Sequence, residues 1–250
     1  MSYSFFAKYY DNLTANVDYS ANTDYILKIF KKYDRVPTLL LDVGCGTGGF
    51  SLEFAKRGID VIGVDPSEDM LTVAKEKADK EGLDLLFLNQ SGEEMDLFGT
   101  VNGVICCLDT INHIVCKRTL QRLFNKISLF LEDDRLFIFD VNTEFKHKTV
   151  LGDNCFVFDD EGTFVVWQNF YDSKSKITDI KLDFFKEDTS IYKRETEEFS
   201  ERVYSNDELI KMLDKSGFKV ETILENGKFI APDKKSQRNI FVARKERQHG

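Results

Sequence analysis

A glycine-rich turn flanked by two carboxylates is the feature of this 250-residue chain best suited to chemistry. An apolar run at 38–43 carries Asp42 near its end, the turn 44–49 follows, and a second apolar run ends on Asp65 after a helical segment. Glycines at such a turn let the backbone approach a ligand closely, and a carboxylate about 20 residues further on accepts hydrogen bonds from ribose hydroxyls. The spacing therefore predicts a nucleoside-binding site with Asp65 on the ribose.

Two cofactor classes use this layout, and Asp42 helps to distinguish them. Gly44, Gly46 and Gly49 fit the dinucleotide fingerprint G-x-G-x-x-G, which is typical of an NAD-linked oxidoreductase. A pyrophosphate would bring negative charge into the turn, where the carboxylate of Asp42 repels it. A cationic ligand that carries an amino-acid group is instead attracted. The residues around the turn therefore favour the second kind of ligand.

Residues 42–48, with the sequence DVGCGTG, resemble the D-x-G-x-G-x-G signature of the class I S-adenosylmethionine-dependent methyltransferases, and residues 65–71 resemble the second motif of that family. The resemblance implies S-adenosylmethionine as the cofactor, with the glycines under its methionine and ribose portions. It places these residues of the two motifs at the cofactor: Asp42, Gly44, Cys45, Gly46, Gly48, Asp65, Pro66 and Met70. A helix N-cap role for Asp65 and a core role for Met70 are the alternatives, although Ser67 is available as the cap.

Two further strand ends are implied to border the cofactor and the methyl acceptor. Family members commonly carry an aspartate after the third strand that binds the adenine amino group, whereas this chain has Ser91, so Ser91 or Gln90 is expected to bind the base. After the fourth strand, the resemblance implies that the Leu108 carbonyl accepts from the cofactor's ammonium and that Asp109 and His113 face the acceptor. A capping role for Asp109 and a surface position for His113 are the alternatives.

Tyrosines near the N-terminus and one arginine complete the implied site. Residues 5–11 and 18–19 resemble the lead-in of small-molecule members of the family, in which tyrosines close over the methionine carboxylate, so Tyr10 and Tyr19 are candidates. Residues 201–204 resemble a motif whose arginine, here Arg202, faces the active site. Core packing of the tyrosines and a surface ion pair of Arg202 are the alternatives. No metal site is expected.

The chemistry implied is methyl transfer to a nitrogen or oxygen of a small-molecule acceptor by in-line displacement. The protein has to align the reacting groups and exclude water, and it needs a general base only for an acceptor that arrives protonated. His113 and Asp109 are the nearest candidates for that base. An NAD-linked oxidoreductase is one alternative. A non-catalytic binding protein with a vestigial methyltransferase fold is another, supported by the missing carboxylate at Ser91.

The elements that must position these residues alternate regularly between strands and helices. Apolar runs predict strands at 38–43, 60–65, 84–89, 102–108 and 135–141; helical segments are predicted up to Pro37 and at 49–57, 67–81 and 117–131. A helix opened by a capping box at 205–208 and strands at 218–224 and 239–244 close the chain. This predicts an α/β fold with a doubly wound, Rossmann-like seven-stranded sheet.

Residues 155–204 interrupt that alternation. They are rich in Phe, Val, Tyr and Thr, show partial alternation of apolar and polar side chains, and carry turn signals at 159–162 and 172–175. We expect a small antiparallel β insertion at 155–204 that covers the acceptor site, while 1–154 and 205–250 form the cofactor-binding core.

Bulk properties limit the partners. A net charge of −9 argues against a protein that binds nucleic acid over its whole surface. No apolar run is long enough for a membrane span. Five cysteines form no C-x-x-C pair, and the N-terminus does not resemble a signal peptide. These features predict a cytoplasmic protein with reduced thiols that acts on a small molecule as a monomer or weak dimer.

Overall fold

The computed structural model describes residues 4–160, 162–188 and 191–247. Its helices are α1 (Ser4–Leu13), α2 (Tyr19–Lys32), α3 (Gly49–Lys56), α4 (Glu68–Glu81), α5 (Thr110–His113), α6 (Lys117–Phe130) and α7 (Asn206–Lys215), with a π-helical turn at Lys146–Leu151. Its strands are β1 (Leu39–Val43), β2 (Asp60–Asp65), β3 (Leu86–Asn89), β4 (Gly103–Cys106), β5 (Leu136–Asn142), β6 (Cys155–Asp160), β7 (Thr163–Asp172), β8 (Ile177–Asp188), β9 (Ile191–Arg202), β10 (Phe218–Glu225) and β11 (Arg238–Lys245). Within the described ranges, no helix is both long and apolar enough to cross a bilayer.

The main sheet has seven strands in the order β10-β11-β5-β4-β1-β2-β3, which confirms the doubly wound α/β fold expected from the sequence. The five strands β5, β4, β1, β2 and β3 run parallel to one another. Strand β11 is antiparallel to β5, and β10 is antiparallel to β11. The strand order reverses between β1 and β4. Ligands of open α/β sheets bind at such a switch point, beyond the carboxyl ends of the strands. The ends of β1 and β4 are therefore the place to look for a site.

Two apolar layers hold this sheet in place. On one face α6 buries Leu120, Phe124 and Ile127, which recur at helical spacing. On the other face α2 buries Ile29 and Phe30. Burying one such side chain contributes about 1.5–3 kcal/mol, so both layers fix the strands whose ends carry the polar residues.

The insertion forms a separate four-stranded antiparallel sheet in the order β6-β7-β8-β9, as the sequence predicts. Its inner face carries Val165, Leu182 and Phe184, which pack with Ala7 of α1 and Met70 of α4. The sheet also contacts α5 through β9 and the π-helical turn through β7. Since α5 and the π-helical turn follow the carboxyl ends of β4 and β5, the second sheet lies beside the edge of the core where ligands bind.

Several boundaries differ from the sequence prediction. β4 ends at Cys106 rather than at residue 108, because Leu108 and Asp109 adopt left-handed backbone conformations with φ of 54° and 55°. The helix expected to run up to Pro37 ends at Lys32. Neither α1 nor the π-helical turn was predicted. Glu161, in the predicted turn at 159–162, lies outside the described residues.

Candidate active site

The glycine turn joins β1 to α3 and is shaped by left-handed glycines. Gly44 has φ of 72° and lies so close to Thr110 that a Cβ there would collide with that side chain. Its backbone N–H donates to the carbonyl of Val64 at 2.8 Å, which ties the turn to β2. Gly46 also has positive φ, and a Cβ on it would meet no atom within 4 Å. The turn is therefore packed on one side and open on the other, as a cradle for a ligand requires.

Asp65 ends β2 and reaches back to this turn. One of its carboxylate oxygens accepts from the N–H of Gly46 and the other from the N–H of Ser67, both at 2.9 Å. Ser67 caps α4 by accepting from the N–H of Met70, so Asp65 is not needed as the cap. Burial raises the pKa of Asp65 against the lowering effect of both N–H groups. Each carboxylate oxygen keeps a lone pair for a further donor, which fits a ribose diol.

Asp42 lies near the end of β1, beneath the glycine turn. Its side chain is only 2% exposed and accepts a hydrogen bond of 2.6 Å from the hydroxyl of Ser51 on α3. Burial raises the pKa of Asp42 to about 7, and the negative charge of Asp65 adds to the rise. A positively charged ligand near Asp42 would favour the ionised form and be attracted in return. The two carboxylates of Asp42 and Asp65 therefore fit a cationic cofactor.

A narrow cleft opens above these residues. Of the residues implied by the sequence, its lining contains Tyr10, Tyr19, Asp42, Gly44, Cys45, Gly46 and Leu108. Gly48, Asp65, Pro66, Met70, Gln90 and Ser91 are not part of that lining. Met70 packs with the inner face of the second sheet, and the amide oxygen of Gln90 already accepts from the N–H of Asp96 at 2.9 Å. The adenine contact expected of Gln90 or Ser91 and the cofactor contact expected of Met70 remain predictions.

The N-terminal helix is fastened over the glycine turn. The hydroxyl of Thr47 donates to Asp11 of α1 at 2.6 Å, and the ammonium of Lys77 on α4 donates to the same carboxylate at 2.9 Å. The ring of Tyr19 lies against Gly49 so closely that a Cβ there would collide with it. Sequence reasoning missed the role of Asp11, because an acid within a short helix gives no signal that distinguishes it from a solvated one.

Leu108 and Asp109 form a strained turn after β4. Consecutive left-handed conformations are unfavourable for residues other than glycine, by about 1–2 kcal/mol each. The backbone N–H groups of both residues donate to the two carboxylate oxygens of Asp140 at 2.7 Å. Arg238 of β11 lies 3.4 Å from oxygens of both Asp140 and Asp109. This network, with Asp140 buried at its centre, holds the carbonyl of Leu108 and the side chain of Asp109 in place.

Asp109 is a weak candidate for a general base. Burial alone would raise its pKa, but the charges of Arg238 and Lys146 outweigh burial and lower the pKa to about 2. Its carboxylate also accepts from the amide of Asn142 at 2.6 Å. A base works best when its pKa lies near the working pH, so Asp109 is placed to supply fixed negative charge. A catalytic role for Asp109 or His113 stays a prediction.

A second buried carboxylate lies beside Asp109, on β9. Glu201 places one oxygen 3.7 Å from Nε2 of His113 and the other 3.6 Å from Nε2 of His147 in the π-helical turn. Burial raises the pKa of Glu201 to about 7, and it lowers that of His147 to about 4. His113 is half-exposed and its ring contacts Phe199 of the same strand. These groups form a polar cluster next to the cofactor cleft.

The structure singles out Glu201 rather than its neighbour Arg202. Adjacent strand residues point to opposite faces, so Arg202 points away from the cluster, and its guanidinium stands over the ring of Tyr204 at 5.8 Å. The backbone carbonyl of Arg202 still accepts from the amide of Asn112, next to His113, at 2.9 Å. The motif at 201–204 thus marks the segment of β9 that contacts His113, and a role for Arg202 at the active site stays a prediction.

Comparison with known proteins agrees with this geometry. A family described as "Methyltransferase domain" matches residues 40–134. The chain is 32% identical over 247 residues to the "Putative methyltransferase" of Geobacillus sp. (strain WCH70), a match that covers 98% of this chain and all of that protein. The crystal structure of an S-adenosylmethionine-dependent methyltransferase from Clostridium acetobutylicum superposes with a TM-score of 0.88 and 28% identity, covering 98% of this chain and 99% of that one.

A more distant structure shares the whole fold. The sugar N-methyltransferase KedS8 from Streptoalloteichus sp. superposes with a TM-score of 0.78 at 18% identity, over 95% of this chain and 93% of that one. At this identity the similarity concerns the fold alone. The full-length relative and the motifs at the ends of β1 and β2 lead to one conclusion. The chain belongs to the class I S-adenosylmethionine-dependent methyltransferases.

Proposed function

We propose that this enzyme transfers a methyl group from S-adenosylmethionine to a nitrogen or oxygen of a small molecule by in-line displacement. The observation that carries the proposal is the course of the loop at 108–113. Its first residue lines the cofactor cleft, and its last, His113, lies 3.7 Å from the buried carboxylate of Glu201. One short loop therefore spans the distance between a cofactor site and a polar cluster suited to an acceptor.

Each of the proposed cofactor residues would contact a different part of S-adenosylmethionine. Asp65 would accept from the ribose diol, and Asp42 and the carbonyl of Leu108 would face the amino-acid portion. Tyr10 and Tyr19, which line the same cleft, would close over it. When bound, S-adenosylmethionine supplies a methyl group that is already activated by the sulfonium charge.

The chain's own residues then have to position the acceptor and exclude water. The fixed network of Asp140 and Arg238 holds the loop at 108–113, so the acceptor meets a rigid wall on the core side. We assign the other wall to the inner face of the second sheet, which makes the insertion at 155–204 the cover of the acceptor site. A rigid, dry site aligns nucleophile and methyl group without a large catalytic apparatus.

A small acceptor fits the surface properties better than a macromolecule. The net charge of −9 opposes nucleic acid, and β9 of the second sheet contacts α5 beside the proposed acceptor site. The sugar N-methyltransferase with the same fold has a small substrate by its name, which supports the proposal by analogy. We place the enzyme in the cytoplasm as a monomer or weak dimer.

The test is a calorimetric titration of the purified protein with S-adenosylhomocysteine, with NADH titrated in parallel. Micromolar binding of the first and none of the second is the expected result. Binding of NADH alone, or no binding of either ligand by the folded protein, would overturn the proposed use of the cleft. The matched control is Asp60→Asn, which alters an exposed aspartate at the start of the strand that ends on Asp65.

A further inference from the structure

Two polar atoms are buried without hydrogen-bond partners beside the loop at 108–113. They are Oε2 of Glu201 and Nε2 of His147, which face each other at 3.6 Å, just beyond hydrogen-bond distance, and the side chains that carry them are 5% and 0% exposed. A buried polar group without a partner costs about 1–3 kcal/mol, and more when it is charged. A well-packed core rarely keeps such a pair, so these atoms point to a function in ligand binding.

The charges around Glu201 do not balance it. The groups that face it are Asp109 and His113 from the loop and α5, Lys146 and His147 from the π-helical turn, and Arg238 from β11. Arg238 is shared between Asp109 and Asp140, and the ammonium of Lys146 donates to the amide oxygen of Asn142 at 2.9 Å. No cation lies within hydrogen-bond distance of Glu201 among the described residues. When Glu201 is ionised, the three carboxylates of Asp109, Asp140 and Glu201 face only the two cations Lys146 and Arg238 in the described part of the chain, so the cluster is then short of one positive charge.

His147 can support Glu201 in either protonation state. Its Nδ1 lies 2.8 Å from the hydroxyl of Thr178, which is the residue of β8 opposite Glu201. A hydroxyl both donates and accepts, so the ring can present Nε2 toward Glu201 as a donor or as an acceptor. Burial lowers the pKa of His147 to about 4, which keeps the ring neutral near pH 7. The proton is therefore gained and lost at Glu201, while the ring of His147 stays neutral and adjusts its hydrogen bonds.

We propose that Glu201, backed by His147, binds an amino group of the methyl acceptor and takes the proton that this group must lose. The inference rests on the proposed function and names its substrate class as amines. An ammonium supplies the missing positive charge and forms a charge-assisted hydrogen bond to Glu201. The N–H bond then breaks, its electron pair stays on nitrogen, and the proton forms an O–H bond on the carboxylate. The nitrogen lone pair is thereby free to accept the methyl group.

Other acceptor classes fit this position less well. A carboxylate or phosphate would add negative charge beside Asp109 and Glu201, which costs free energy in a buried site. A neutral hydroxyl could donate to Glu201 but would leave its charge uncompensated. The inner face of the second sheet adds apolar surface next to Glu201, including the ring of Phe199 against His113. The geometry therefore suits an amine that carries an apolar or cyclic body.

The experiment compares matched amines and alcohols on the protein saturated with S-adenosylhomocysteine. The probes are benzylamine against benzyl alcohol, cyclohexylamine against cyclohexanol, and glucosamine against glucose, measured by calorimetry with wild type, Glu201→Gln and Glu198→Gln. Glu198 is the matched control, because it is a two-thirds exposed glutamate on the outer face of the same strand. A carbon-13 NMR titration of the glutamate carboxyls follows Glu201 directly.

We expect millimolar or tighter binding of at least one amine and at least tenfold weaker binding of its alcohol. Glu201→Gln should remove the preference for the amine, whereas Glu198→Gln should keep it. The pKa of Glu201, which is about 7 in the free protein, should fall when the amine binds. Equal binding of amine and alcohol, an amine preference that survives Glu201→Gln, or no amine binding would overturn the inference. Loss of S-adenosylhomocysteine binding by wild type would instead refute the proposed function.

Discussion

The carboxylate of Asp65 accepts a hydrogen bond of 2.9 Å from the backbone N–H of Gly46, which joins the end of β2 to the glycine turn after β1. The second carboxylate oxygen accepts from the N–H of Ser67 at the same distance. One side chain therefore both fixes the shape of the turn and presents its remaining lone pairs beside it. The residue proposed to bind ribose is also a structural part of the cradle.

Replacing Asp65 by alanine should weaken binding of S-adenosylhomocysteine more than tenfold. The change removes the acceptor for the ribose diol and also releases the N–H of Gly46, and a tenfold loss corresponds to about 1.4 kcal/mol. Calorimetry on the folded variant measures the effect, with Asp60→Asn as the control on the same strand. An unchanged dissociation constant in a folded Asp65→Ala protein would remove Asp65 from the site.

Asp42 should make cofactor binding depend on pH. Its pKa of about 7 in the free protein means that the carboxyl gains a proton, and loses its charge, as the pH falls through neutrality. Affinity for a cationic ligand should therefore rise with pH through about 7 and level off above it. Asp42→Asn should bind several-fold more weakly at pH 8 and show a flatter profile between pH 6 and 8. Calorimetric titrations with S-adenosylmethionine between pH 6 and 8 measure this dependence. Identical affinity profiles for wild type and Asp42→Asn would contradict the role of Asp42.

The sequence predicted the parts of this site that depend on local pattern. The turn after β1, Asp42 and Asp65 occur within one strand–turn–helix–strand unit, whose spacing is visible along the chain. Asp140 and Arg238 were missed, because each lies in a run that reads only as a strand. Their role arises when β4, β5 and β11 become neighbours, a relation set by the strand order rather than by nearby residues.

Glu201 illustrates a different limit. The motif at 201–204 identified the segment, yet only the register of β9 against β8 determines which side chain points toward His147. A shift of one residue would have exchanged Glu201 and Arg202. The pKa of Glu201 likewise depends on burial under the second sheet, which no sequence pattern specifies. Fold class could thus be predicted from periodicity, whereas the acid–base groups required the packing of two sheets.

Replacing His113 by alanine should leave cofactor binding within twofold of wild type. The imidazole is half-exposed and lies outside the cleft that contains Asp42 and Leu108. Turnover with an identified acceptor should nevertheless fall, because His113 is the half-exposed group that borders Glu201. Calorimetry with S-adenosylhomocysteine and initial rates on the same preparation separate the two effects. A large loss of cofactor affinity would instead place His113 in the cofactor site.

Asp140 should contribute more to the free energy of unfolding than an exposed surface aspartate does. The two carboxylate oxygens of Asp140 accept from the N–H groups of Leu108 and Asp109. Asp140→Asn would replace one of these oxygens by an amide nitrogen, which cannot accept, and would leave Arg238 with the carboxylate of Asp109 alone. Breaking a buried pair typically costs about 3–5 kcal/mol, so urea unfolding should show a loss of that order. The control, Asp133→Asn, removes a half-exposed partner of Lys245 and should cost less than about 1 kcal/mol. Equal losses would mean that the network does not hold the loop.

In the ligand-free protein, Glu201→Gln should raise the free energy of unfolding at alkaline pH but not at acidic pH. The pKa of Glu201 is about 7 in the folded protein against an ordinary value of 4.5, so between these values the folded state holds a proton that the unfolded chain has released. This contribution to stability is complete below about pH 4 and is lost as the pH rises through 7. Glutamine avoids the buried charge, and the gain at pH 9 should be on the order of 3 kcal/mol. Urea unfolding at pH 5 and pH 9 measures it, with Glu198→Gln expected to change neither value. A variant destabilised at pH 9 would show that Glu201 is stabilised in its ionised form by partners within the fold, which would also remove the reason for it to bind an external cation.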